Sequence, residues 1–166
     1  MNNIILIGMP GAGKSTVGVV LAKALGYSFL DSDLLIQEKE NMVLHEIIET
    51  HGLDKFNEIE NTVNASIETS KTVIATGGSA VYGKEAMEHF KSVGTIVYLE
   101  LSYEELTTRL GDLNKRGVSI RQGQTLAELY DERKPLYEKY ADITINCDNQ
   151  SIRELVESIT NQLAQD

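Results

Sequence analysis

Apolar residues along the chain follow two alternating patterns. Five short runs are almost continuously apolar: Asn3–Ile7, Ser28–Leu30, Thr72–Ala75, Thr95–Leu99 and Ile143–Ile145. Such runs are typical of strands covered on both faces. Between them, apolar residues recur at helical spacing, as in Val17, Val20, Leu21, Ala24 and Leu25. Alternating strands and helices predict an α/β domain with a parallel sheet between two helical layers, and a ligand site beyond the carboxyl ends of the strands.

Two stretches do not belong to this alternation. Residues 33–70 contain two or three helical segments of their own, and residues 112–124 are polar, with two glycines and several basic side chains. We expect both stretches to cover the ligand site. The predicted domain has a core formed by residues 1–32, 71–111 and 125–166, a helical substrate-binding insertion, and a flexible lid that excludes water.

A phosphate-binding motif follows the first predicted strand directly. Residues 8–16 read Gly-Met-Pro-Gly-Ala-Gly-Lys-Ser-Thr, a complete GxxxxGK[ST] pattern. The glycines allow backbone N–H groups to point at a polyphosphate, and the following helix contributes its positive N-terminal dipole. We therefore expect Lys14 to reach the β- and γ-phosphates and the Ser15 hydroxyl to bind Mg²⁺.

The ends of the second and third predicted strands carry further candidates. Asp31 and Asp33 are two residues apart, so an extended chain would point both carboxylates toward the phosphate-binding loop. One would hold Mg²⁺ and the other would orient and deprotonate an acceptor hydroxyl; alternatively, Asp33 only caps a helix that begins at Leu34. Gly77 and Gly78 allow close approach of backbone to a ligand, or form an ordinary tight turn.

Arginines in the third quarter of the chain suit the binding of phosphate and carboxylate groups. They are Arg109, Arg116, Arg121 and Arg133. Three of them also have a plainer explanation. Arg109 lies four residues after Glu105, which favours a surface pair; Arg121 is explained as a solvated loop charge; and Arg133 is explained as a salt-bridged surface residue in a helix predicted over 125–140.

Composition limits the functional class. The 166 residues fit one domain, and a formal net charge of −10 argues against a nucleic-acid partner. Apolar runs are far shorter than the roughly 20 residues of a membrane span, and the first residues do not form a signal peptide. Together with the single cysteine, Cys147, these features predict a cytoplasmic protein that binds small molecules and is a monomer. The three histidines lack the spacing of a zinc site.

The ordered set of motifs resembles the shikimate kinase family over about residues 3–160. The resemblance includes Arg133-Lys134-Pro135-Leu136-Tyr137 and Ala141-Asp142-Ile143-Thr144-Ile145. It implies a three-layer sandwich with sheet order 2-3-1-4-5, similar to nucleoside monophosphate kinases. It also implies a Mg²⁺-dependent transfer of the ATP γ-phosphoryl group to the 3-hydroxyl of shikimate, in aromatic amino acid biosynthesis.

The resemblance also implies roles for individual residues. On the ATP side, the binding residues would be Gly11, Ala12, Gly13, Lys14, Ser15 and Thr16, with Arg109 along the adenine. Lys14 would contact the transferring phosphate, Arg116 would reach the phosphates from the lid, and Asp31 would assist Ser15 with Mg²⁺ through water. On the acceptor side, Asp33 would hold the hydroxyl as candidate base, Arg133 would bind the carboxylate, and Gly77 and Gly78 would offer their backbone.

Three departures from the family pattern fall on the acceptor side and the lid. Asn57 stands where the family has a second carboxylate-binding arginine, while that arginine's partner, Glu60, remains. Losing one charge-assisted contact costs about 1.5–3 kcal/mol, and an unpaired Glu60 would repel an anionic substrate or attract a cationic one. Ser79 replaces the third glycine of the family, and Arg116-Gly117-Val118-Ser119 replaces Arg-Pro-Leu-Leu in the lid.

Shikimate is therefore the expected acceptor, and two alternatives stay open. One is a kinase of the same fold that phosphorylates another hydroxylated acceptor, such as a sugar acid or an amino alcohol. The other is a nucleotide-binding regulatory module without catalysis. A nucleoside monophosphate kinase would need arginines in residues 34–70 to hold an acceptor phosphate, and that stretch contains none.

Overall fold

A five-stranded parallel sheet organises the molecule, with strand order β2-β3-β1-β4-β5. The structure is a computed structural model that describes residues 2–110 and 121–165. The strands are β1 (Asn3–Ile7), β2 (Ser28–Asp31), β3 (Thr72–Ala75), β4 (Gly94–Glu100) and β5 (Ile143–Asn146). The predicted fold class and the strand order implied by the family resemblance are thus confirmed, and β2, β4 and β5 extend one or two residues beyond the predicted runs.

Eight α-helices connect or flank these strands in the described part of the chain. They are α1 (Lys14–Leu25), α2 (Ser32–Glu40), α3 (Leu44–His51), α4 (Leu53–Ala65), α5 (Lys84–Val93), α6 (Tyr103–Arg109), α7 (Leu126–Tyr140) and α8 (Ile152–Gln165). A short 3₁₀ turn, Ala80–Tyr82, precedes α5. In residues 2–110 and 121–165, we find no helix with the length and apolar character needed to cross a membrane.

Polar side chains fix where several helices begin. Thr125 accepts a hydrogen bond from the Glu128 N–H at 3.1 Å, and the Glu128 carboxylate accepts one from the Thr125 N–H at 3.1 Å, which forms a capping box before α7. Ser151 and Glu154 make the same reciprocal pair before α8. These two caps set the starts of α7 and α8.

Two apolar clusters stabilise the fold. The larger cluster surrounds the sheet, whose central strand β1 is completely buried. The smaller one lies within the 33–70 insertion and joins its three helices through Ile36, Ile47, Phe56 and Val63. The insertion therefore has an apolar core of its own, which holds α2, α3 and α4 together beside the carboxyl ends of the strands.

The buried amide of Asn3 ties three segments of the chain together at the start of β1. Its Nδ2 donates to the carbonyls of Thr69 (2.8 Å) and Val93 (3.0 Å), and its Oδ1 accepts from the Thr72 N–H (3.1 Å). The side chain is 1% exposed, so water cannot replace these partners.

We expect Asn3→Ala to lower the free energy of unfolding by about 2–4 kcal/mol, because buried backbone groups lose their partners. Urea unfolding followed by circular dichroism measures the change. The matched control is Asn2→Ala, whose side chain is exposed and accepts one bond from Lys71 N; we expect a change below about 1 kcal/mol. Equal effects of the two substitutions would contradict the role of Asn3.

Candidate active site

The phosphate-binding loop spans the gap between β1 and α1. Gly13 immediately precedes α1 and has φ +87°, a conformation that favours glycine. Lys14, the first residue of the helix, turns its ammonium group back into the loop and donates to the carbonyls of Gly8 (2.7 Å) and Met9 (2.9 Å). The loop therefore holds the lysine in place before any phosphate binds.

Burial lowers the pKa of Lys14 to about 8, and Arg133 contributes in the same direction. Asp33, Asp31 and Glu60 oppose this shift, because each negative charge favours the ammonium form. The side chain is 8% exposed. Phosphates would replace two carbonyls with full negative charges, which favour the protonated lysine more strongly.

Asp31 connects the loop to the start of α2. Its Oδ2 accepts from the Ser15 hydroxyl at 2.9 Å, and its Oδ1 accepts from the Asp33 N–H at 3.0 Å. Asp31 is therefore the cap of α2, which begins at Ser32. The prediction of an extended Asp31–Asp33 segment was wrong, as was the alternative that Asp33 caps a helix from Leu34: Asp33 lies in the first helical turn, and it faces the site by helical rather than strand geometry.

Asp33 lines a cavity of about 350 Å³ at the carboxyl ends of the strands. The cavity is also bordered by Lys14, Ser15, Gly77, Gly78 and Arg133. Burial raises the pKa of Asp33 to about 6, Asp31 adds to the shift, and Lys14 opposes it. A carboxylate whose pKa is close to neutral pH is suited to accept a proton from an acceptor hydroxyl.

Arg133 lies inside the protein rather than on its surface. It is 1% exposed, so the surface-residue explanation was wrong. Its Nε donates to the Tyr82 hydroxyl at 3.3 Å, its guanidinium carbon lies 5.4 Å from the centre of the Tyr82 ring, and Tyr82 in turn donates to Glu132. A methyl group on Gly78 would lie 2.8 Å from Arg133 Nη1. A side chain at position 78 would therefore displace the arginine.

Tyr137 also contacts Gly78, through the carbonyl group of that glycine. Its hydroxyl donates to the Gly78 carbonyl at 2.6 Å, and its ring stacks on Tyr98 of β4 with 5.1 Å between centroids. The sequence analysis named Tyr137 only as part of the family-like segment 133–137 and missed this contact, and it did not single out Tyr82. The available signal was that Tyr137 lies one helical turn after Arg133, on the same face of α7.

The other arginines differ in position. Arg109 pairs with Glu105, with Nε 3.1 Å from Oε1, and also donates to the Gly11 carbonyl at 3.3 Å, so the surface pair and the position beside the loop are both present. Arg121 is exposed and lies 3.3 Å from Asp54. Arg116 lies outside the described residues, as does most of the predicted lid, of which only residues 121–124 are described.

The region of the missing family arginine is buried and polar. Glu60 is 2% exposed, and its Oε1 accepts from the Ser79 hydroxyl at 2.6 Å. Its Oε2 and Asn57 Oδ1 are buried without a hydrogen-bond partner among residues 2–110 and 121–165. Two departures from the family pattern therefore meet at Glu60, since Ser79 binds the carboxylate that Asn57 leaves without a cation.

Burial raises the pKa of Glu60 to about 7. Asp33 adds to the shift, while the Ser79 hydrogen bond, Arg133 and Lys14 oppose it. Near neutral pH, Glu60 therefore exists partly as a neutral carboxylic acid. That state limits the repulsion of anions and the attraction of cations that a fully charged carboxylate would exert.

Metal binding by the chain alone is not indicated. Within the described ranges, no group of three or more His, Cys, Asp and Glu side chains has metal-ligand geometry. His45 and His51 are exposed on α3, and Cys147 is buried. The adjacent hydroxyl of Ser15 and carboxylate of Asp31 are hard oxygen ligands, of the kind that hold Mg²⁺ together with nucleotide phosphates and water.

The phosphate-binding loop at the end of β1, a carboxylate facing it, and a buried arginine across the cavity define a P-loop phosphotransferase. Comparisons with known proteins narrow this class. A family model described as shikimate kinase matches residues 10–164. The shikimate kinase of Sulfurihydrogenibium sp. is 35% identical over 164 residues, which cover 98% of both chains. The chain therefore belongs to the shikimate kinase family and is an ATP-dependent small-molecule kinase.

Solved structures agree with this assignment. The shikimate kinase of Aquifex aeolicus superposes with a TM-score of 0.85 at 32% identity, covering 98% of this chain and 96% of the other. The shikimate kinase of Acinetobacter baumannii, solved in complex with shikimate, gives a TM-score of 0.83 at 31% identity, covering 99% and 94%. The whole described fold, including the insertion, is thus that of the family.

We expect Glu60→Gln to raise the free energy of unfolding at pH 8. An acid with a raised folded-state pKa stabilises the fold below its unfolded value of about 4.5, and this stabilisation is lost as the pH rises through about 7. The penalty at pH 8 is on the order of 3 kcal/mol for a buried carboxylate, and glutamine avoids it while keeping an oxygen for Ser79.

Urea unfolding at pH 5 and pH 8 measures this effect, and the advantage of the variant should shrink to less than about 1 kcal/mol at pH 5. Glu58→Gln is the matched control, since the Glu58 side chain is 71% exposed on the same helix. If Glu60→Gln were no more stable than the wild type at pH 8, the raised pKa would be disproved.

Proposed function

We propose that the protein transfers the γ-phosphoryl group of ATP to the 3-hydroxyl of shikimate, as a step of aromatic amino acid biosynthesis. The observation that carries this proposal is the cavity in which Asp33 and Arg133 face one acceptor-sized space next to the phosphate-binding loop. A hydroxylated carboxylic acid would place its hydroxyl at Asp33 and its carboxylate at Arg133. Shikimate has both groups, and a relative of similar structure was solved with shikimate bound.

On the donor side, residues 11–16 would hold the phosphates with their backbone N–H groups. Lys14 would leave the Gly8 and Met9 carbonyls and bind the transferring phosphate, where its charge stabilises the transition state. Mg²⁺, held by Ser15 directly and Asp31 through water, would neutralise phosphate charge. Arg109 would lie along the adenine, and Arg116 would reach the phosphates from the lid.

On the acceptor side, Asp33 would orient the hydroxyl and accept its proton as the bond to phosphorus forms. Arg133 would bind the carboxylate, because Tyr82 and Tyr137 fix its surroundings and a planar guanidinium matches two carboxylate oxygens. Gly77 and Gly78 would offer backbone contacts. Asn57 would contact the acceptor without the charge that an arginine provides.

Other predictions belong to the same proposal. A monomer in the cytoplasm, with residues 112–124 as a lid, is consistent with a small enzyme that acts on dissolved metabolites. The alternative of a cationic acceptor is disfavoured by the buried Arg133 and by the raised pKa of Glu60. The alternative of an inactive nucleotide-binding module is disfavoured by Asp33, since nucleotide binding requires no base facing the loop.

A panel of acceptors tests the proposal with ATP, Mg²⁺ and coupled detection of ADP. We expect shikimate to be the preferred acceptor over sugar acids and amino alcohols. Asp33→Asn should lower kcat by about 10²–10⁴-fold because the base is lost, while ATP binding measured by equilibrium titration is retained. Preference for another acceptor would favour the first alternative, ATP binding without any phosphorylation would favour the inactive module, and a normal kcat in Asp33→Asn would remove Asp33 from the chemistry.

We expect Asn57→Arg to lower the KM for shikimate about tenfold or more with little change in kcat, because it adds a charge-assisted contact to the acceptor carboxylate. Steady-state kinetics at saturating ATP measures the effect. Glu58→Arg adds the same side chain at an exposed position of α4 and should leave KM unchanged. An unaltered KM in Asn57→Arg would mean that the acceptor pocket differs more widely from the family pattern.

A further inference from the structure

Glu60 lies directly behind the wall of the acceptor cavity. The wall is formed by Gly77, Gly78 and Ser79, which line the cavity on one side. On the other side, Glu60 accepts the Ser79 hydrogen bond at 2.6 Å and is 2% exposed. Because this hydrogen bond is short and its acceptor is buried, the position of Ser79 in the wall depends on the protonation state of Glu60.

The second oxygen of Glu60 shares a small space with Asp33. A methyl group on Gly77 would lie 3.0 Å from Glu60 Oε2 and 2.7 Å from Asp33 Oδ1, so both oxygens approach the same α-carbon. This Glu60 oxygen has no hydrogen-bond partner in residues 2–110 and 121–165. This buried oxygen is therefore the end of the Glu60 carboxyl group that lies toward the site, behind Gly77.

Charged groups face Glu60 from three other helices. Asp33 on α2 favours its neutral form, whereas Lys14 on α1 and Arg133 on α7 favour its ionised form, as does the hydroxyl of Ser79. Within the described residues, none of these cations lies within ion-pair distance of Glu60. Glu60 and an acceptor carboxylate would therefore both be attracted by the positive charge of Arg133.

We propose that Glu60 determines acceptor affinity from behind the cavity wall: held by Ser79 instead of an arginine, its carboxyl group favours an anionic acceptor when protonated and opposes it when ionised. This inference rests on the proposed function, because it concerns the acceptor carboxylate bound near Arg133. Glu60 is here a positioning and electrostatic residue, and it does not touch the reacting atoms.

The sign of the pH dependence follows from these charges. Below about pH 7, Glu60 is neutral and does not compete with the acceptor carboxylate for the positive charge of Arg133. Above that pH, the ionised Glu60 competes for Arg133 and repels the acceptor. The shikimate carboxylate keeps its charge throughout, since carboxylic acids titrate near pH 4. The KM for shikimate should therefore rise with pH.

The test is the KM for shikimate from pH 6 to pH 8.5, at saturating ATP and constant ionic strength. For the wild type we expect a rise of about fivefold to tenfold, the size of one repulsion across a partly screened site. Glu60→Gln should change less than about twofold over this range. In Ser79→Ala the rise should move to higher pH, because the Ser79 hydrogen bond lowers the pKa of Glu60.

Two controls separate this effect from others. Glu58→Gln removes the same charge from an exposed position of α4 and should follow the wild-type profile. Lys14, whose pKa is lowered to about 8, also titrates in this range, and Glu60→Gln shifts its titration because Glu60 favours the ammonium form. The contribution of Lys14 is therefore followed separately in each variant through the KM for ATP.

The outcomes are distinct. A KM that rises with pH equally in the wild type and Glu60→Gln would overturn this inference and leave the proposed function intact. Failure of the wild type to phosphorylate shikimate at any pH would overturn the proposed function and this inference with it. A uniform loss of activity at all pH values in Glu60→Gln, with the slope unchanged, would mean that Glu60 is only structural.

Discussion

Compensation among buried charges at the ends of β1 and β3 is the constraint on which the site depends. Lys14, Glu60 and Arg133 are buried, and Asp33 lines one cavity with Lys14 and Arg133. An isolated buried charge is costly, so each of these groups is tolerated because the others are near. The shifted pKa values of Lys14, Asp33 and Glu60 follow from this arrangement. A nucleotide and an acceptor would enter a region whose charges are already arranged around them.

Much of the fold could be predicted because the continuous apolar runs in the sequence correspond to the strands of the sheet. Continuous apolar runs identified every strand in the described part of the chain, and the helix predicted over 125–140 corresponds to α7. The direction of Asp33 was predicted for the wrong reason, since nothing in an Asp-x-Asp pattern says that the strand stops at Asp31 and the helix begins at once. Similarly, the burial of Arg133 depends on contacts with Tyr82, 51 positions away in the chain, and periodicity within α7 does not reveal them.

The acceptor side was the part least open to prediction. The family pattern identified Asn57 as a departure but could not say what replaces the missing cation. The answer lies in packing: Ser79 is distant in sequence from Glu60 and binds it directly. In the sequence, Ser79 in place of a glycine and Asn57 in place of an arginine look like unrelated departures. In the structure, Ser79 binds Glu60, the carboxylate that lacks its arginine partner. Both departures change the environment of one carboxyl group, while the phosphate-binding loop is unaffected.

The separate apolar cluster of α2, α3 and α4 has a consequence for how such an enzyme diversifies. Ile36, Ile47, Phe56 and Val63 pack among themselves, so substitutions at these four positions act first on the insertion and reach the core around the sheet through shared contacts such as Leu35. The apolar side chains that hold the insertion together are therefore distinct from the polar side chains of α2 and α4 that face the acceptor cavity or its wall, Asp33 and Glu60. A change in acceptor preference can arise at these polar positions without any change in the four apolar residues that keep the insertion folded.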